Sequence, residues 1–94
     1  MASSHVIRRE LQVELENGLH MLPCSAIAKA AQEFGGAVRV IHGKTTADAS
    51  SVLELLGLGA GRGTQLTVEV DGDGADRLLD KLAQVLQNNH NLSR

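Results

Sequence analysis

The sequence predicts an α+β fold, a two-layer open-faced β-sandwich in which three helices cover one face of a four-stranded antiparallel sheet. Segments with alternating apolar residues mark strands, apolar repeats at steps of three and four mark helices, and their order is β-α-β-β-α-β-α. The strands are too short to be buried on both faces, so the sheet keeps one open face. With 94 residues, 43% of them hydrophobic, we expect a single domain over residues 1–94 with its core in about 6–88.

The first strand and the first helix are predicted in the first third of the chain. Apolar and polar residues alternate over Ile7–Leu15, which is typical of a half-buried strand. Asn17-Gly18 breaks the pattern, and Pro23 suits the first turn of a helix because its missing N–H group costs nothing there. Apolar residues then recur at helical spacing up to Phe34, and Gly35-Gly36 ends the helix.

A hairpin and a brief second helix follow. Ala37–His42 predicts a strand, Gly43-Lys44 a turn, and Thr45–Asp48 a second short strand. Ser51 and Glu54 have the spacing of a capping box, in which Glu54 is expected to reach back to the cap. The helix is brief because glycines stand at positions 57, 59, 61 and 63.

A last strand and a last helix complete the order. Leu66, Val68 and Val70 alternate with polar residues, and the turn Asp71–Gly74 places acidic residues at a helix start. The last helix is marked by apolar residues at helical spacing, Leu78 or Leu79, Leu82, Val85 and Leu86. We expect both termini, including Asn88–Arg94, to be frayed.

Composition excludes several classes of function. Nine basic and eleven acidic residues leave no surplus of cations for nucleic acid, and Phe34 is the only aromatic residue available to stack on a base. No apolar stretch has the length of a membrane span, and the first residues do not resemble a signal peptide. One cysteine forms neither an internal disulfide nor a cysteine zinc site. We therefore expect a cytoplasmic monomer without cofactor or metal.

His20 is the residue with the most chemical potential, because it lies at the predicted start of the first helix. N–H groups at a helix start are unpaired and, with the helix dipole, stabilise an anion. The Met21 and Leu22 amides are the expected donors, and a histidine beside them can act as a nucleophile. The alternative is a histidine that only decorates a loop.

The string Asn17-Gly18-Leu19-His20-Met21-Leu22-Pro23 resembles the active-site signature of HPr, the histidine-containing phosphocarrier family of the bacterial phosphotransferase system. The resemblance continues at Phe34, Gly43-Lys44, Ser51–Gly59 and Gly63-Thr64, over about residues 6 to 88. It implies that His20 carries phosphate on Nδ1, takes it from phosphoenolpyruvate-dependent enzyme I, and passes it to an enzyme IIA component. Such a protein is a carrier rather than an enzyme with its own small-molecule substrate.

The chain departs from the family at Leu22, where the family usually has an arginine. An arginine lends charge and N–H donors to the phosphate. Arg62, in a glycine-rich loop that resembles a segment near the family's active site, is the candidate substitute, and Lys29 matches a position of partner contacts. The departure leaves an alternative open, an HPr-like regulatory binding module with impaired phosphotransfer.

The resemblance also gives the second helix two roles. Ser51 matches the serine that an HPr kinase phosphorylates in some members, although capping alone explains a serine there. The helix has three apolar residues that cannot all face the core, Val52, Leu53 and Leu56, and in the family it docks onto donor and acceptor. Either the three form an exposed patch, or only Leu53 is exposed; Leu55 and Leu58 are expected to point inward.

Cys24 allows a third interpretation, a redox thiol or a two-ligand metal site shared with His20, if the helix start lowers the pKa of the thiol. Its position on the apolar stripe with Ile27 and Ala31 favours a small core hydrophobe instead. The remaining histidines have no ligand at suitable spacing and are expected at the surface, namely His5, His42 and His90.

Overall fold

A computed structural model describes residues 6–87 of the chain. The elements are β1 Val6–Gln12, α1 Met21–Phe34, β2 Ala37–His42, β3 Thr45–Asp48, α2 Val52–Gly57, β4 Gln65–Asp71 and α3 Ala75–Gln87. This is the predicted order, and the predicted fold class is confirmed. We predicted frayed ends and surface positions for His5 and His90, and these predictions concern segments that lie outside the described residues. Among residues 6–87, no helix has the length and apolar character to cross a membrane.

The four strands form one antiparallel sheet in the order β1-β4-β2-β3. Gln12 at the end of β1 pairs with Gln65 at the start of β4, so the loops beyond these two residues meet at one end of the sheet. The hairpin of β2 and β3 turns at Gly43-Lys44, where Gly43 has a φ of 61°. A positive φ at this position is what two-residue hairpin loops require.

The helices cover the face of the sheet toward which the apolar strand residues point. Leu66, Val68 and Val70 of β4 are buried there, while Gln65 is exposed on the other face. The helices contribute buried side chains from each of α1, α2 and α3, among them Cys24, Ile27, Leu55, Leu79, Leu82 and Leu86. The sheet and the helices therefore share one core, as the alternation along the strands predicted.

The end of β1 differs from the sequence prediction, whereas the start of α1 agrees with it. β1 ends at Gln12 rather than Leu15, although Val13 and Leu15 keep the alternation and are fully buried. Beyond Gln12 the chain pairs with a turn instead of a strand, because Val13 exchanges backbone hydrogen bonds with residues 63 and 64. Helix α1 begins at Met21, which places Pro23 in its first turn, as predicted.

The cap of α2 is only half of the predicted capping box. Ser51 Oγ accepts a hydrogen bond from the Glu54 N–H group at 3.2 Å. The prediction for the Glu54 carboxylate was wrong, because its Oε1 accepts from the Asp48 N–H group at 2.8 Å. The Ser51 N–H group instead donates to the Asp48 carbonyl at 3.0 Å. Glu54 thus ties α2 to the end of β3, a contact that local spacing does not indicate.

Glu69 of β4 lies on the open face of the sheet between two arginines. Arg8 of β1 and Arg39 of β2 stand directly opposite it in the register. Arg8 Nε donates to Glu69 Oε2 at 3.0 Å, and Arg39 Nε donates to Oε1 at 3.2 Å. These hydrogen bonds hold the pKa of Glu69 below its ordinary value of 4.5, and the one from Arg8 is the larger cause.

We expect Glu69→Gln to remove part of the acid sensitivity of the fold. A carboxyl group whose pKa is lowered by folding adds stability above its unfolded-state value, and this stability is lost as the pH falls through the folded-state value. The difference in the free energy of unfolding between wild type and variant should therefore be largest near neutral pH and shrink below 4.5. Urea unfolding over a pH series measures it, with Glu10→Gln on the same face as control. A difference that does not change with pH contradicts the prediction.

Candidate functional site

His20 is the N-cap residue of α1, and it is half-buried. Its backbone is extended, with φ −98° and ψ −171°. Its N–H group donates to the Gly18 carbonyl at 3.0 Å, and its carbonyl accepts from the Cys24 N–H group at 3.1 Å. The imidazole makes no capping hydrogen bond. The backbone alone therefore starts the helix, and the helix start does not occupy the ring nitrogens.

The first turn of α1 offers two backbone donors beside this imidazole. Among residues 6–87, the N–H groups of Met21 and Leu22 have no backbone acceptor, and Pro23 has no N–H group to offer. No acidic residue occupies the first turn. Free N–H groups and the dipole of a long helix stabilise an anion that binds at the helix start. The start of α1 is thus suited to hold a phosphoryl group on His20.

Gly18 holds the loop that carries His20 against the loop before β4. Leu19 donates its N–H group to the Ala60 carbonyl at 2.9 Å. Gly18 has a φ of 68°, and a Cβ atom there would lie 2.7 Å from Ala60 O and 2.8 Å from Gly61 Cα. Side chains avoid both this conformation and these distances. The placement of His20 therefore depends on a glycine two residues before it.

The two basic residues predicted near the site lie at different distances from it. Arg62 is exposed in the loop of residues 58–64, whose Ala60 contacts the His20 loop. Lys29 is exposed on α1, nine residues after His20, which places it about 13 Å away along the helix axis. The structure thus brings the Arg62 loop to His20, and it leaves Lys29 away from the ring.

Large apolar side chains are exposed on α1 and α2. Met21 is 57% exposed, Leu22 49% and Leu53 79%, and we call these three the apolar surface. Helices α1 and α2 are in contact, and the hydrogen bond from Gln32 to the Ser50 carbonyl joins the start of α2 to the C-terminal part of α1, not to the end that carries Met21 and Leu22. The other two residues of the predicted patch are half-buried and pack against the core, Val52 and Leu56. Leu55 and Leu58 point inward, as predicted. Burial thus favours the alternative in which only Leu53 of α2 is exposed.

Cys24 is fully buried, and desolvation raises the pKa of its thiol to about 11. A thiol with this pKa is protonated at neutral pH, whereas metal ligation and thiol redox chemistry need the thiolate. The interpretation of Cys24 and His20 as a redox or metal centre is therefore wrong. The apolar stripe correctly indicated a core residue.

His42 is not the surface residue that was predicted. It is half-buried at the end of β2, and its Nδ1 lies 2.8 Å from the Leu58 carbonyl, a distance at which an Nδ1–H group donates. The contact joins residues 16 positions apart, so no local pattern indicates it. His42 ties the hairpin to the loop of residues 58–64 and has a structural role.

Comparisons with known proteins agree with this fold and with the histidine motif. Residues 7–88 match the PTS-HPr family, described as "PTS HPr component phosphorylation site". Phosphocarrier protein HPr of Streptomyces coelicolor is 33% identical over 79 residues, which cover 83% of this chain and 85% of that protein. The chain also resembles a segment of the multiphosphoryl transfer protein of Xanthomonas campestris, with 35% identity over 84% of this chain and 9% of that protein.

A solved structure gives the same result. The phosphocarrier protein HPr of Bacillus anthracis superposes with a TM-score of 0.82 at 26% identity, covering 88% of this chain and 99% of the other. The chain therefore belongs to the PTS-HPr family, the phosphocarrier proteins of the phosphotransferase system.

Proposed function

We propose that this chain is a phosphoryl carrier that takes phosphate from phosphoenolpyruvate-charged enzyme I onto His20. It then passes the group to an enzyme IIA-type acceptor. The observation that carries this proposal is the start of α1, where the His20 side chain is not used as a cap and the Met21 and Leu22 N–H groups have no backbone acceptor within residues 6–87. Membership of a phosphocarrier family supports the same function.

The proposed step is a direct displacement at phosphorus. The lone pair of His20 Nδ1 forms the new N–P bond while the bond from phosphorus to the donor group of enzyme I breaks, and its electron pair leaves with the donor. The phosphoryl oxygens accept hydrogen bonds from Met21 and Leu22, which the helix holds in place before the reaction. The acceptor then repeats the displacement and frees His20, so the chain transfers a group and transforms no substrate of its own.

Leu22 favours a second candidate function, an HPr-like regulatory module that passes phosphate inefficiently. A leucine side chain supplies no charge and no donor to the phosphate, whereas charge-assisted hydrogen bonds are the strong ones. The two candidates share the fold. They differ in whether His20 accepts a phosphoryl group and passes it on.

Incubation with enzyme I and phosphoenolpyruvate, followed by intact-mass measurement, tests the proposal. A carrier gains one phosphoryl group that is labile in acid and stable in base, and it loses the group when an enzyme IIA acceptor is added. A chain that stays unphosphorylated while an HPr of known activity is labelled in parallel contradicts the proposal and favours the regulatory module.

Ser51 is a second proposed phosphorylation site, with an HPr kinase as its partner. Ser51 is half-buried, and its Oγ accepts a hydrogen bond from the Glu54 N–H group. A phosphate there would face the first turn of α2, where the dipole favours it, and also the Glu54 carboxylate, which disfavours it. Labelling by an HPr kinase, lost in Ser51→Ala, tests this role; no labelling under conditions that label a known substrate contradicts it.

We propose that enzyme I docks on the apolar surface, and we expect Leu53→Glu to slow phosphorylation by enzyme I about tenfold. A carboxylate in an apolar contact must lose its hydration without gaining a partner. Leu53 is exposed, so the fold should be unchanged. The matched control is Val6→Glu, because Val6 is 43% exposed and lies on β1, away from α1 and α2. Equal rates for both variants, measured by quenched-flow labelling, would place the contact elsewhere.

A further inference from the structure

Two loops meet at His20, the segment of residues 13–20 and the loop of residues 58–64. Arg62 is the only lysine or arginine in these two stretches of the sequence. The sequence has no lysine or arginine between Arg9 and Lys29, and Arg62 is the only one between Lys44 and Arg77. The segment before His20 carries Glu14 and Glu16 instead, both exposed. The segment before His20 therefore supplies no positive charge to a phosphoryl group on His20, and Arg62 is the cation of the two loops.

The loop that carries Arg62 is attached on both sides of this residue to the segment that leads to His20. Before Arg62, the Ala60 carbonyl accepts from the Leu19 N–H group at 2.9 Å. After Arg62, the Gly63 N–H group donates to the Val13 carbonyl at 2.7 Å, and the Thr64 carbonyl accepts from the Val13 N–H group at 2.8 Å. Arg62 thus lies at the tip of a short turn that is fixed beside the His20 loop.

The other basic residues on this side of the molecule lie outside the loop that contacts the His20 loop. Lys44 follows β2, which lies two strands from β1 in the sheet, a separation of about 10 Å. Lys29 is about 13 Å along α1 from His20. Arg62, in contrast, directly precedes β4, the neighbour of β1. Its side chain is exposed and forms no ion pair among residues 6–87.

We propose that Arg62 binds the phosphoryl group of phosphorylated His20 and takes the role that Leu22 cannot fill. The proposal rests on the carrier function and names a further residue of the same site. The guanidinium group supplies a charge and a fork of N–H donors that match phosphate oxygens. In the unphosphorylated protein this side chain extends into solvent, and it turns toward His20 when the dianion is present.

The phosphorylated fraction at a fixed ratio of phosphoenolpyruvate to pyruvate, with enzyme I present, tests the role of Arg62. Arg62→Ala should lower the equilibrium constant for phosphorylation about tenfold, because the free energy of a hydrogen bond to a charged group corresponds to a change of this size. Arg62→Lys should retain part of it, since lysine keeps the charge and loses the fork. The matched control is Arg77→Ala, which changes the net charge equally at the start of α3, by the opposite end of β4.

A rescue experiment separates phosphate binding from a structural role. Leu22→Arg should restore phosphorylation in the Arg62→Ala background, and urea unfolding should show equal stability for all variants. If wild type is phosphorylated and Arg62→Ala equals Arg77→Ala, the role of Arg62 is wrong and the carrier function stands. If Leu22→Arg does not restore phosphorylation of Arg62→Ala, the loss comes from a changed structure of the loop. The proposed role of Arg62 is wrong in that case too. If wild type takes no phosphate, the carrier function fails, and the role of Arg62 fails with it.

Discussion

Replacing His20 by alanine should abolish phosphorylation by enzyme I and phosphoenolpyruvate, with a loss of at least about 1000-fold because the nucleophile itself is removed. The fold should persist, since the His20 side chain makes no capping hydrogen bond and is only half-buried. We expect the free energy of unfolding to change by about 0.5 kcal/mol or less. Intact mass after incubation measures the first effect, and urea unfolding the second.

His42→Gln is the control for this substitution. His42 is also half-buried, but its ring faces the Leu58 carbonyl, to which a glutamine amide can still donate. This variant should be phosphorylated like wild type. Phosphate that still appears on His20→Ala would mean that another residue is the acceptor, and the site at the start of α1 would be wrong.

Gly18→Ala should have the largest effect on stability among the substitutions considered near the site. In the variant, alanine must adopt a φ of 68°. Its Cβ atom would lie 2.7 Å from Ala60 O and 2.8 Å from Gly61 Cα, so the two loops must move apart. Strain of this kind and overpacking against backbone together destabilise by about 2–5 kcal/mol. Because the same contact positions His20, phosphorylation should also fall at temperatures where the variant is still folded. Urea unfolding and the intact-mass assay measure the two losses.

Gly61→Ala is the matched control, because it inserts the same methyl group on the other side of this contact. A Cβ atom at Gly61 meets nothing within 4 Å, and the residue has no positive φ. Its stability should stay within about 0.5 kcal/mol of wild type. If Gly18→Ala and Gly61→Ala unfold at the same urea concentration, the tight contact between the two loops is not what holds the site.

Local patterns predicted one part of the site and not the other. The start of α1 follows from the string around Pro23, and the free N–H groups of Met21 and Leu22 follow from the start of any helix. That Arg62, rather than Lys29, lies in the loop beside His20 depends on the contact of Leu19 with Ala60. These residues are far apart in sequence, and only the resemblance to the family indicated that their loops lie near each other.

The fold class was predicted correctly, and the wrong predictions concern two side chains that bond to a distant partner, Glu54 and His42. Ser51 caps α2 as its spacing indicated, but Glu54 turns to the Asp48 N–H group at the end of β3. His42 was expected at the surface because it has no neighbour at ligand spacing, yet it reaches the Leu58 carbonyl. Both groups satisfy polar atoms of an adjacent element, which the spacing within one element does not reveal.

The sequence by itself determined the order of the elements, the buried face of each strand and the burial of Cys24, and through its motif it indicated His20 and the family. These features depend on apolar periodicity and on residues within one turn of each other. The tertiary structure alone decided the pairing of β1 with β4, the close approach of Gly18 to Ala60, the surroundings of Glu69 and the partial burial of Val52 and Leu56. The physical reason is that each depends on which surfaces meet when the core closes, and residues distant in sequence jointly set that packing.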